Sequence, residues 1–314
     1  MPDNSEIQNE NTEATSEKPT RAGFVALIGA PNAGKSTLMN QLVGTKVSIV
    51  THKVQTTRAI VRGITVHDNS QIVFVDTPGI FAPRRKLDQA MVSTAWGGAK
   101  DADLVACLID SERGITEDIE KILSGLKGSD RKCILIMNKI DTVQRDTLLA
   151  MVAKATTFKE FDEVFMVSAL KGDGCKDLMN YLSTQMPLSP FLYPKDDVTD
   201  LPLRQLAAEI TREKLFLRLH QELPYASHVE TETWKEDEKS VRIEQAIYIE
   251  RSSQKKIVIG KGGETIKAIS MAARKELKEI LEKEVHLFLF VKVRENWGND
   301  PERYRHMGLE FPKG

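Results

Sequence analysis

The sequence has few cysteines, and their arrangement suggests neither a disulfide nor a metal site. Its three cysteines, Cys107, Cys133 and Cys175, are far apart, and none belongs to a Cys-x-x-Cys pair. Cys107 lies within the apolar run LVACLID, and Cys133 opens the run CILIMNKID. The six histidines show no ligand spacing either. We therefore expect reduced, buried cysteines of the kind found in cytosolic proteins.

Long hydrophobic runs and a strong net charge are also absent. No apolar stretch approaches the roughly 20 residues of a membrane helix, and the N-terminus lacks the apolar core of a signal peptide. With 44 basic and 45 acidic residues the net charge is −1, so overall charge neither favours nor excludes nucleic acid. The composition, 41% hydrophobic and 28% charged, predicts a soluble cytoplasmic protein.

The chain of 314 residues is long enough for two domains. Residues 1–20 are polar and nearly free of large apolar side chains, which predicts a disordered tail. A second break is the stretch 186–202, which carries four prolines and no helical or strand period. We therefore predict a first domain over 21–188, a linker over 189–202 and a second domain over 203–314.

The first half alternates short apolar runs with helical patterns. Most of the runs are continuously apolar, as expected for parallel strands covered on both faces. Only HDNS separates the second run from the third, which predicts that this pair is antiparallel. The pattern predicts a doubly wound α/β mixed sheet with one antiparallel edge strand. The predicted strands are 24–29, 60–66, 71–77, 104–110, 133–139 and 164–169.

The second half has a different order of elements, typical of an α+β unit. A helical pattern covers LRQLAAEITREKLFLRLHQELP, and a strand–turn–strand pattern follows in 228–250. The run KKIVIG then leads through a glycine loop into a long helix to about residue 283. A last strand is predicted in VHLFLFVKVRE. This order presents one continuous surface to a ligand.

The stretch GAPNAGKST, residues 29–37, follows an apolar strand and opens a helix, which is the context that a phosphate-binding P-loop requires. Its glycines let backbone N–H groups converge on phosphate oxygens at the positive end of the helix. Lys35 can bridge the outer phosphates, and the Ser36 hydroxyl can ligate Mg²⁺. An ordinary glycine turn is the weaker alternative. The predicted nucleotide-binding residues here are Gly29, Pro31, Asn32, Ala33, Gly34, Lys35, Ser36 and Thr37.

Two further motifs occur where a nucleotide switch would need them. DTPG ends a predicted strand, so Asp76 can hold the metal through water and the N–H of Gly79 can sense the γ-phosphate. QTTR offers Thr57 as a Mg²⁺ ligand, with Thr56 as the alternative. Taken alone, the first would be read as a strand-ending turn and the second as a polar loop. We predict catalytic roles for Lys35, Thr57 and Gly79, with Asn32 as a candidate helper.

Two motifs predict which nucleobase the site recognises. In NKID, Asp141 can accept from the paired donor edge of guanine, Asn138 can brace the pocket, and the stem of Lys139 can cover the base. In SAL, the backbone of Ser168, Ala169 and Leu170 can meet the guanine oxygen. Leaving the carboxylate unpaired beside adenine would cost about 1–3 kcal/mol, enough to reject ATP. The five motifs together predict a GTP site.

These motifs resemble those of the translation-factor-like P-loop GTPases, and PNAGKST with QTTR is similar to the branch that contains Era, MnmE and Der. The resemblance covers residues 22–189 and implies Mg²⁺-dependent hydrolysis of GTP to GDP and phosphate. Ile80 follows DTPG where Ras-type enzymes have glutamine, so this side chain cannot orient the attacking water, and we expect slow intrinsic turnover. In related P-loops the residue equivalent to Asn32 ligates K⁺; the alternative is that Asn32 only stabilises the loop.

A second glycine loop lies in IVIGKGGETIKAI. Glu264 stands where a nucleotide loop has its metal-binding hydroxyl, so we expect no nucleotide here. The G-x-x-G form joining a short helix to a longer one permits close approach of an RNA backbone, as in KH domains. Eight basic residues against two acidic ones in 251–278 favour this over a simple helix-capping turn. The predicted RNA-binding residues are Lys256, Gly260, Lys261, Gly262, Gly263, Lys267 and Arg274.

The second half as a whole resembles the Era family, in YPKDDVTDLP, AAEITREKLF, QELPY, IVIGKGGETIK, VKVRENW and MGLEF. This resemblance implies a type II KH domain that binds the 3′ end of 16S rRNA and a role in maturation of the 30S ribosomal subunit. It also implies a monomer with a peripheral contact with the inner membrane. Two alternatives stay open: a membrane-associated signalling GTPase whose basic cluster meets anionic lipid, and the GTPase subunit of an RNA-modification system.

Overall fold

The computed structural model describes residues 19–128, 130–220, 222–295 and 300–312. The predicted disordered tail lies outside the described residues as far as residue 18. So does the end of the VKVRENW motif, from residue 296.

The first half forms a six-stranded sheet, as the continuous apolar runs predict. The strand order is β2-β3-β1-β4-β5-β6, and only β2 runs antiparallel, against β3 at one edge. The short turn 68–69 allows only a hairpin, because a parallel neighbour needs a long crossover. The predicted fold class is confirmed. The strands are β1 (Arg21–Gly29), β2 (Val61–His67), β3 (Ser70–Asp76), β4 (Leu104–Asp110), β5 (Lys132–Asn138) and β6 (Glu163–Val167).

Helices cover both faces of this sheet, so its central strands are buried on both sides. One apolar cluster lies between the sheet and α1 and α5, and another between the sheet and α2, α3 and α4. All three cysteines are free and buried, as predicted. Burial raises the pKa of Cys133 to about 12, which leaves an unreactive thiol. The helices are α1 (Lys35–Val43), α2 (Lys86–Asp101), α3 (Glu117–Gly125), α4 (Arg145–Thr156) and α5 (Cys175–Gln185).

The proline-rich segment 186–202 contains no helix or strand. It is nevertheless held against the first sheet: the N–H of Ile64 donates to the carbonyl of Val198 at 2.8 Å, and the Thr199 hydroxyl donates to the carbonyl of Arg62 at 2.7 Å. The linker thus follows the edge strand β2, and does not extend freely between the domains. The residue boundaries of the domains stay a prediction.

The second half packs helices on one face of a three-stranded sheet in the order β7-β8-β9, with β8 and β9 parallel. The first helix is shorter than predicted: it ends at Arg218, because Leu219 already has extended backbone and is buried in the core. No helix in the described part of the chain is long and apolar enough to cross a membrane. The elements are α6 (Leu203–Arg218), β7 (Ser227–Glu236), β8 (Ser240–Ile249), α7 (Ser252–Ile259), α8 (Glu264–Leu281), β9 (Glu284–Val293) and α9 (Pro301–His306).

Candidate functional site

The first glycine loop connects β1 to α1 at the carboxyl edge of the sheet. Gly34 immediately precedes the helix with a φ of 92°, where a Cβ would meet the Asn138 amide at 2.2 Å, so only glycine fits. Lys35 is 6% exposed, and its Nζ donates to the carbonyls of Gly29 (3.3 Å) and Ala30 (3.1 Å). Burial lowers the pKa of Lys35 to about 8, and the nearby Asp76 carboxylate partly opposes the shift. The ammonium is therefore poised for a stronger anionic partner.

Three hydroxyls converge on one carboxylate oxygen below this loop. Ser36, Ser48 and Thr57 donate to Oδ2 of Asp76 at 2.5, 2.9 and 3.3 Å, and the Ser36 and Thr57 hydroxyl oxygens are 2.9 Å apart. The other oxygen of Asp76, Oδ1, is buried without a hydrogen-bond partner in the described residues. Burial raises the pKa of Asp76, and Lys35 and the three hydroxyls counteract this. A set of hydroxyl and carboxylate oxygens with one unsatisfied carboxylate oxygen fits Mg²⁺.

The two neighbouring threonines of QTTR have different surroundings. The Thr57 hydroxyl reaches Ser36 and Asp76, as described above. The Thr56 hydroxyl instead lies 2.6 Å from the Thr51 hydroxyl and donates to the carbonyl of Lys53 at 2.7 Å. The geometry therefore favours Thr57 as the metal ligand.

The DTPG motif lies directly against the phosphate loop. A Cβ on Gly79 would come within 2.7–2.8 Å of Pro31, so this contact requires glycine. The next residue, Ile80, is 7% exposed; its N–H donates to the carbonyl of Gly29 at 3.0 Å, and its side chain packs in the core under α2. An apolar residue here therefore stabilises the core and offers no polar group to the cleft.

The end of β5 and the SAL motif are joined through the Asn138 amide. Its Nδ2 donates to the carbonyl of Ala33 at 2.8 Å, and its Oδ1 accepts from the N–H of Ala169 at 3.0 Å. Asp141 accepts from the Ser168 hydroxyl at 2.8 Å, and this hydrogen bond holds the pKa of the carboxyl below its usual range. The structure thus brings the NKID motif, the SAL motif and the phosphate loop together.

Lys139 and Leu170 complete this end of the site. Lys139 Nζ donates to Asp110, at the end of β4, at 2.5 Å, which draws its stem across the pocket edge. Leu170 is 79% exposed at the opposite edge. Two adjoining clefts of about 360 Å³ each share Thr37 and Val50, and each is large enough for part of a nucleotide. Their lining includes the predicted residues Pro31, Asn32, Gly34, Lys35, Ser36, Thr37, Thr57, Gly79, Lys139, Ala169 and Leu170.

The second glycine loop joins α7 to α8, as predicted. Gly262 and Gly263 have φ values of 61° and 81°, and a Cβ on either would meet nothing within 4 Å, so the loop backbone is open to a ligand. Glu264 is the first residue of α8, where a carboxylate favours the positive helix end. Ile257 is 59% exposed, whereas Ile269 belongs to the core. Ile257, on α7 shortly before the loop, is therefore an apolar side chain that is open to solvent.

The predicted basic residues surround this loop. Lys256, Lys261, Lys267 and Arg274 are exposed, and none of them forms an ion pair within the described chain. Lys267 and Arg274 are seven residues apart on α8 and therefore share one face. Glu276, one of the two acids in this segment, points away and pairs with Lys46 at 2.5 Å and with Lys214. Lys278 is likewise paired, with Glu284, so the excess of basic residues around the loop stays as the sequence count indicates.

Some residues of the site lie outside the motifs and hold motif residues in place, and the sequence pattern does not predict them. Ser48, which bonds Asp76, lies in a loop without any recognisable pattern. Asn40 on α1 holds this loop: its Oδ1 accepts from the N–H groups of Val47 (2.9 Å) and Ser48 (3.0 Å). The sequence marks Asp110, the partner of Lys139, only as the end of a predicted strand. No sequence signal marks these residues because their partners are distant along the chain.

The GTPase Era of Sinorhizobium medicae is 68% identical to this chain, and the match covers 97% of the chain and 99% of that protein. The chain belongs to the Era family of GTPases. The GTPase Era of Rhizobium meliloti is 69% identical over 94% of the chain and 95% of that protein. A family model described as a 50S ribosome-binding GTPase matches residues 24–139, and a KH-domain model matches 222–298. The prediction of an Era-family GTPase with a KH domain is confirmed.

Solved structures of this family have the same fold. Aquifex aeolicus Era, crystallised as a variant bound to GDP and aluminium fluoride, is 37% identical, with a TM-score of 0.87 over 92% of this chain and 99% of that one. A second Era structure, in complex with MgGDPNP and nucleotides 1506–1542 of 16S ribosomal RNA, is 37% identical with a TM-score of 0.88 and the same coverage.

Proposed function

We propose that this Era-family chain hydrolyses GTP in the cleft between the phosphate loop and the loop that carries Thr57. Ser36 and Thr57 would ligate Mg²⁺ directly, and Asp76 would hold it through water, which the convergence of hydroxyls on Asp76 supports. The ion would neutralise charge that develops on the γ-phosphate. Lys35 would leave the carbonyls of Gly29 and Ala30 for the outer phosphates, and the N–H of Gly79 would contact the γ-phosphate.

The guanine base would be recognised at the end of β5. Asp141 would accept from both donors of the guanine edge, with Ser168 holding the carboxylate in place. Asn138 would brace the pocket through Ala33 and Ala169, and the stem of Lys139 would cover the base. The hydrogen bonds that already join these residues support this assignment, because a site organised before binding loses less entropy on binding.

Hydrolysis would be slow, because Ile80 is buried and cannot orient water. Asn32 is a candidate ligand for K⁺: its Nδ2 donates to the carbonyl of His52 at 2.9 Å, and its Oδ1 accepts no hydrogen bond from the described chain. The same bond also supports the alternative, that Asn32 only stabilises the loop. Turnover in KCl and NaCl separates the two, since a K⁺ site predicts faster hydrolysis in KCl and equal rates would exclude it.

The KH domain would bind the 3′ end of 16S rRNA. The open backbone at Gly262 and Gly263 and the exposed basic residues Lys256, Lys261, Lys267 and Arg274 support this, as does the RNA complex of the 37% identical Era. That complex is the observation that carries the proposal. From the family resemblance we further propose a role in 30S subunit maturation as a cytoplasmic monomer. A peripheral contact with the inner membrane has the support of the resemblance alone.

RNA binding can be tested with an RNA of the 16S 3′ end and a variant with Lys261→Asp and Gly262→Asp. Aspartate is tolerated at positive φ, and nothing obstructs a Cβ at Gly262, so we expect the variant to fold. The control is Lys239→Asp, which introduces the same change of charge as Lys261→Asp. The Lys239 carbonyl accepts from the N–H of Glu284, so Lys239 lies near the end of α8 opposite to the second glycine loop.

We expect the double variant to lose binding and the control to bind like wild type. For about four phosphate contacts on a single strand, log affinity should fall with log salt at a slope of roughly −3. A double variant that binds as tightly as the control would refute RNA binding at the second glycine loop.

A further inference from the structure

The loop that carries Thr57 has no helix or strand of its own. It spans residues 44–60, between α1 and β2. A loop of this length cannot fix its conformation by a backbone ladder, so its neighbours must do so. From within the first domain, Asn40 holds the part near Ser48, Asn32 donates to the carbonyl of His52, and Gln55 donates to Asp88 on α2. The second domain holds the loop as well, and one of its contacts is made to the residue directly before Thr57.

Arg212 on α6 contacts the residue directly before Thr57. Its Nη2 donates to the carbonyl of Thr56 at 2.5 Å, although the two residues belong to different domains. Arg212 is 1% exposed; its Nε donates to Glu209 at 2.8 Å, and its guanidinium lies 5.1 Å from the centre of the Phe216 ring. A peptide bond is planar, so fixing the Thr56 carbonyl also fixes the N–H of Thr57 and restricts where its side chain points.

Other contacts hold the loop on both sides of this peptide. Before it, the N–H of Val50 donates to Glu213 on α6 at 2.9 Å. Lys53 donates to the carbonyls of Phe216 and Leu219 at the end of α6. After it, Arg58 donates to the carbonyl of Ser227 at 2.8 Å. The loop is therefore attached to the second domain along much of its length, and Arg212 is the contact made to the peptide that joins Thr56 to Thr57.

We propose that Arg212, from the KH domain, is a positioning residue for GTP hydrolysis: it holds the Thr56–Thr57 peptide so that Thr57 faces Ser36 and Asp76. This inference rests on the proposed role of Thr57 as a Mg²⁺ ligand. It makes the second domain part of the hydrolytic site, because the metal-binding loop takes its shape from α6. A hydrogen bond from a charged donor is stronger than one between neutral groups. The loss of this bond should therefore weaken Mg²⁺ binding about tenfold.

The alternative is that Arg212 only stabilises the contact between domains. The two roles differ in what a substitution changes. Loss of a purely structural contact would lower the melting temperature and leave the Mg²⁺ dependence of turnover unchanged. Loss of a positioning contact would shift that dependence, and it would do so only while Thr57 is present.

The test uses the full chain with Arg212→Met and the control Arg204→Met. Arg204 lies on the same helix but donates to the carbonyls of Thr231 and Glu232, away from the loop. We expect Arg212→Met to raise the Mg²⁺ concentration for half-maximal hydrolysis about tenfold, with KM for GTP and affinity for GDP little changed. Arg204→Met should match wild type.

Measuring the Mg²⁺ requirement in a Thr57→Val variant as well tests the role of Arg212 separately from the proposed role of Thr57. In that background, Arg212→Met should add no further shift, since coupled residues are not additive. If Thr57→Val raises the Mg²⁺ requirement but Arg212→Met does not, the inference is overturned and the metal site stands. If Thr57→Val leaves the Mg²⁺ requirement unchanged, the metal assignment fails and the inference fails with it.

A second variant covers the case in which Arg212→Met does not fold. Arg212→Lys keeps the charge but loses the planar guanidinium, whose Nε donates to Glu209 while its Nη2 donates to the Thr56 carbonyl. We therefore expect an intermediate shift of roughly threefold in the Mg²⁺ requirement. A wild-type requirement in this variant would overturn the inference.

Discussion

Lys35 lies at the bottom of the phosphate cleft, where its ammonium bonds only backbone carbonyls among the described residues. Burial lowers its pKa from 10.5 to about 8, against the opposing effect of Asp76. Phosphate oxygens beside the ammonium would favour the charged form and raise this pKa. At pH values above about 8, nucleotide binding should therefore take up a proton, and affinity should fall as the pH rises.

The magnitude follows from the free protein. With a pKa of about 8, Lys35 is about nine-tenths protonated at pH 7 and about one-tenth protonated at pH 9. We expect the affinity for GDP to fall about tenfold between these values, or about 1.4 kcal/mol. The stability of the nucleotide-free protein, in contrast, should rise with pH. Its folded state binds fewer protons than the unfolded chain between pH 8 and 10.5, so burial of Lys35 becomes less costly there, by up to about 3 kcal/mol.

The assay is a fluorescence titration of labelled GDP at pH 7, 8 and 9, with Lys35→Arg as the control. A guanidinium stays protonated over this range, so the control reports every other pH effect, including deprotonation of guanine itself. Calorimetry in two buffers of different ionisation enthalpy then measures proton uptake directly. A wild-type affinity that changes with pH no more than that of Lys35→Arg would refute the reasoning.

The other predictions concern the metal, the base and the position after DTPG. Thr57→Val should raise the Mg²⁺ requirement of hydrolysis about tenfold, and Thr56→Val should leave it near wild type; equal effects in a Mg²⁺ titration would contradict the assignment. Asp141→Asn replaces an acceptor by an amide donor, so competition binding should show GTP weakened at least tenfold and xanthine nucleotides favoured, and an unchanged preference would exclude this role. Ile80→Gln buries an amide in an apolar cluster. Urea unfolding should show a loss of about 1–3 kcal/mol without faster turnover, whereas faster hydrolysis would show that this side chain reaches the cleft.

Contacts between the loop 44–60 and the second domain also connect the two glycine loops. Lys46, in the loop that carries Thr57, pairs with Glu213 on α6 and with Glu276 on α8, the helix that begins at the second glycine loop. GTP, by ordering the first loop, would favour the arrangement of the KH domain that binds RNA, and hydrolysis would release it. If so, linkage requires that RNA tighten GTP binding by the same factor as GTP tightens RNA binding. Equal RNA affinity with GDP and with a GTP analogue would exclude such coupling.

Much of the architecture was predictable from local patterns. The six apolar runs predicted the six strands within a few residues, because a strand buried on both faces must be apolar throughout. The antiparallel edge followed from the short turn between β2 and β3, which leaves no room for a crossover. The phosphate loop and the G-x-x-G loop were visible because backbone close to phosphate requires glycine at fixed spacing.

Only the tertiary structure shows the different surroundings of Thr56 and Thr57, the hydrogen bond from Ser48 to Asp76, and the hydrogen bond from Arg212 to Thr56. All three depend on the loop 44–60, which has no hydrophobic period and no motif except QTTR. Its shape is set by α1 and by α6, and α6 lies more than a hundred residues further along the chain. The sequence by itself predicted which residues can bind GTP and RNA. Folding determined which of them meet, since pairs that are distant along the chain leave no local pattern.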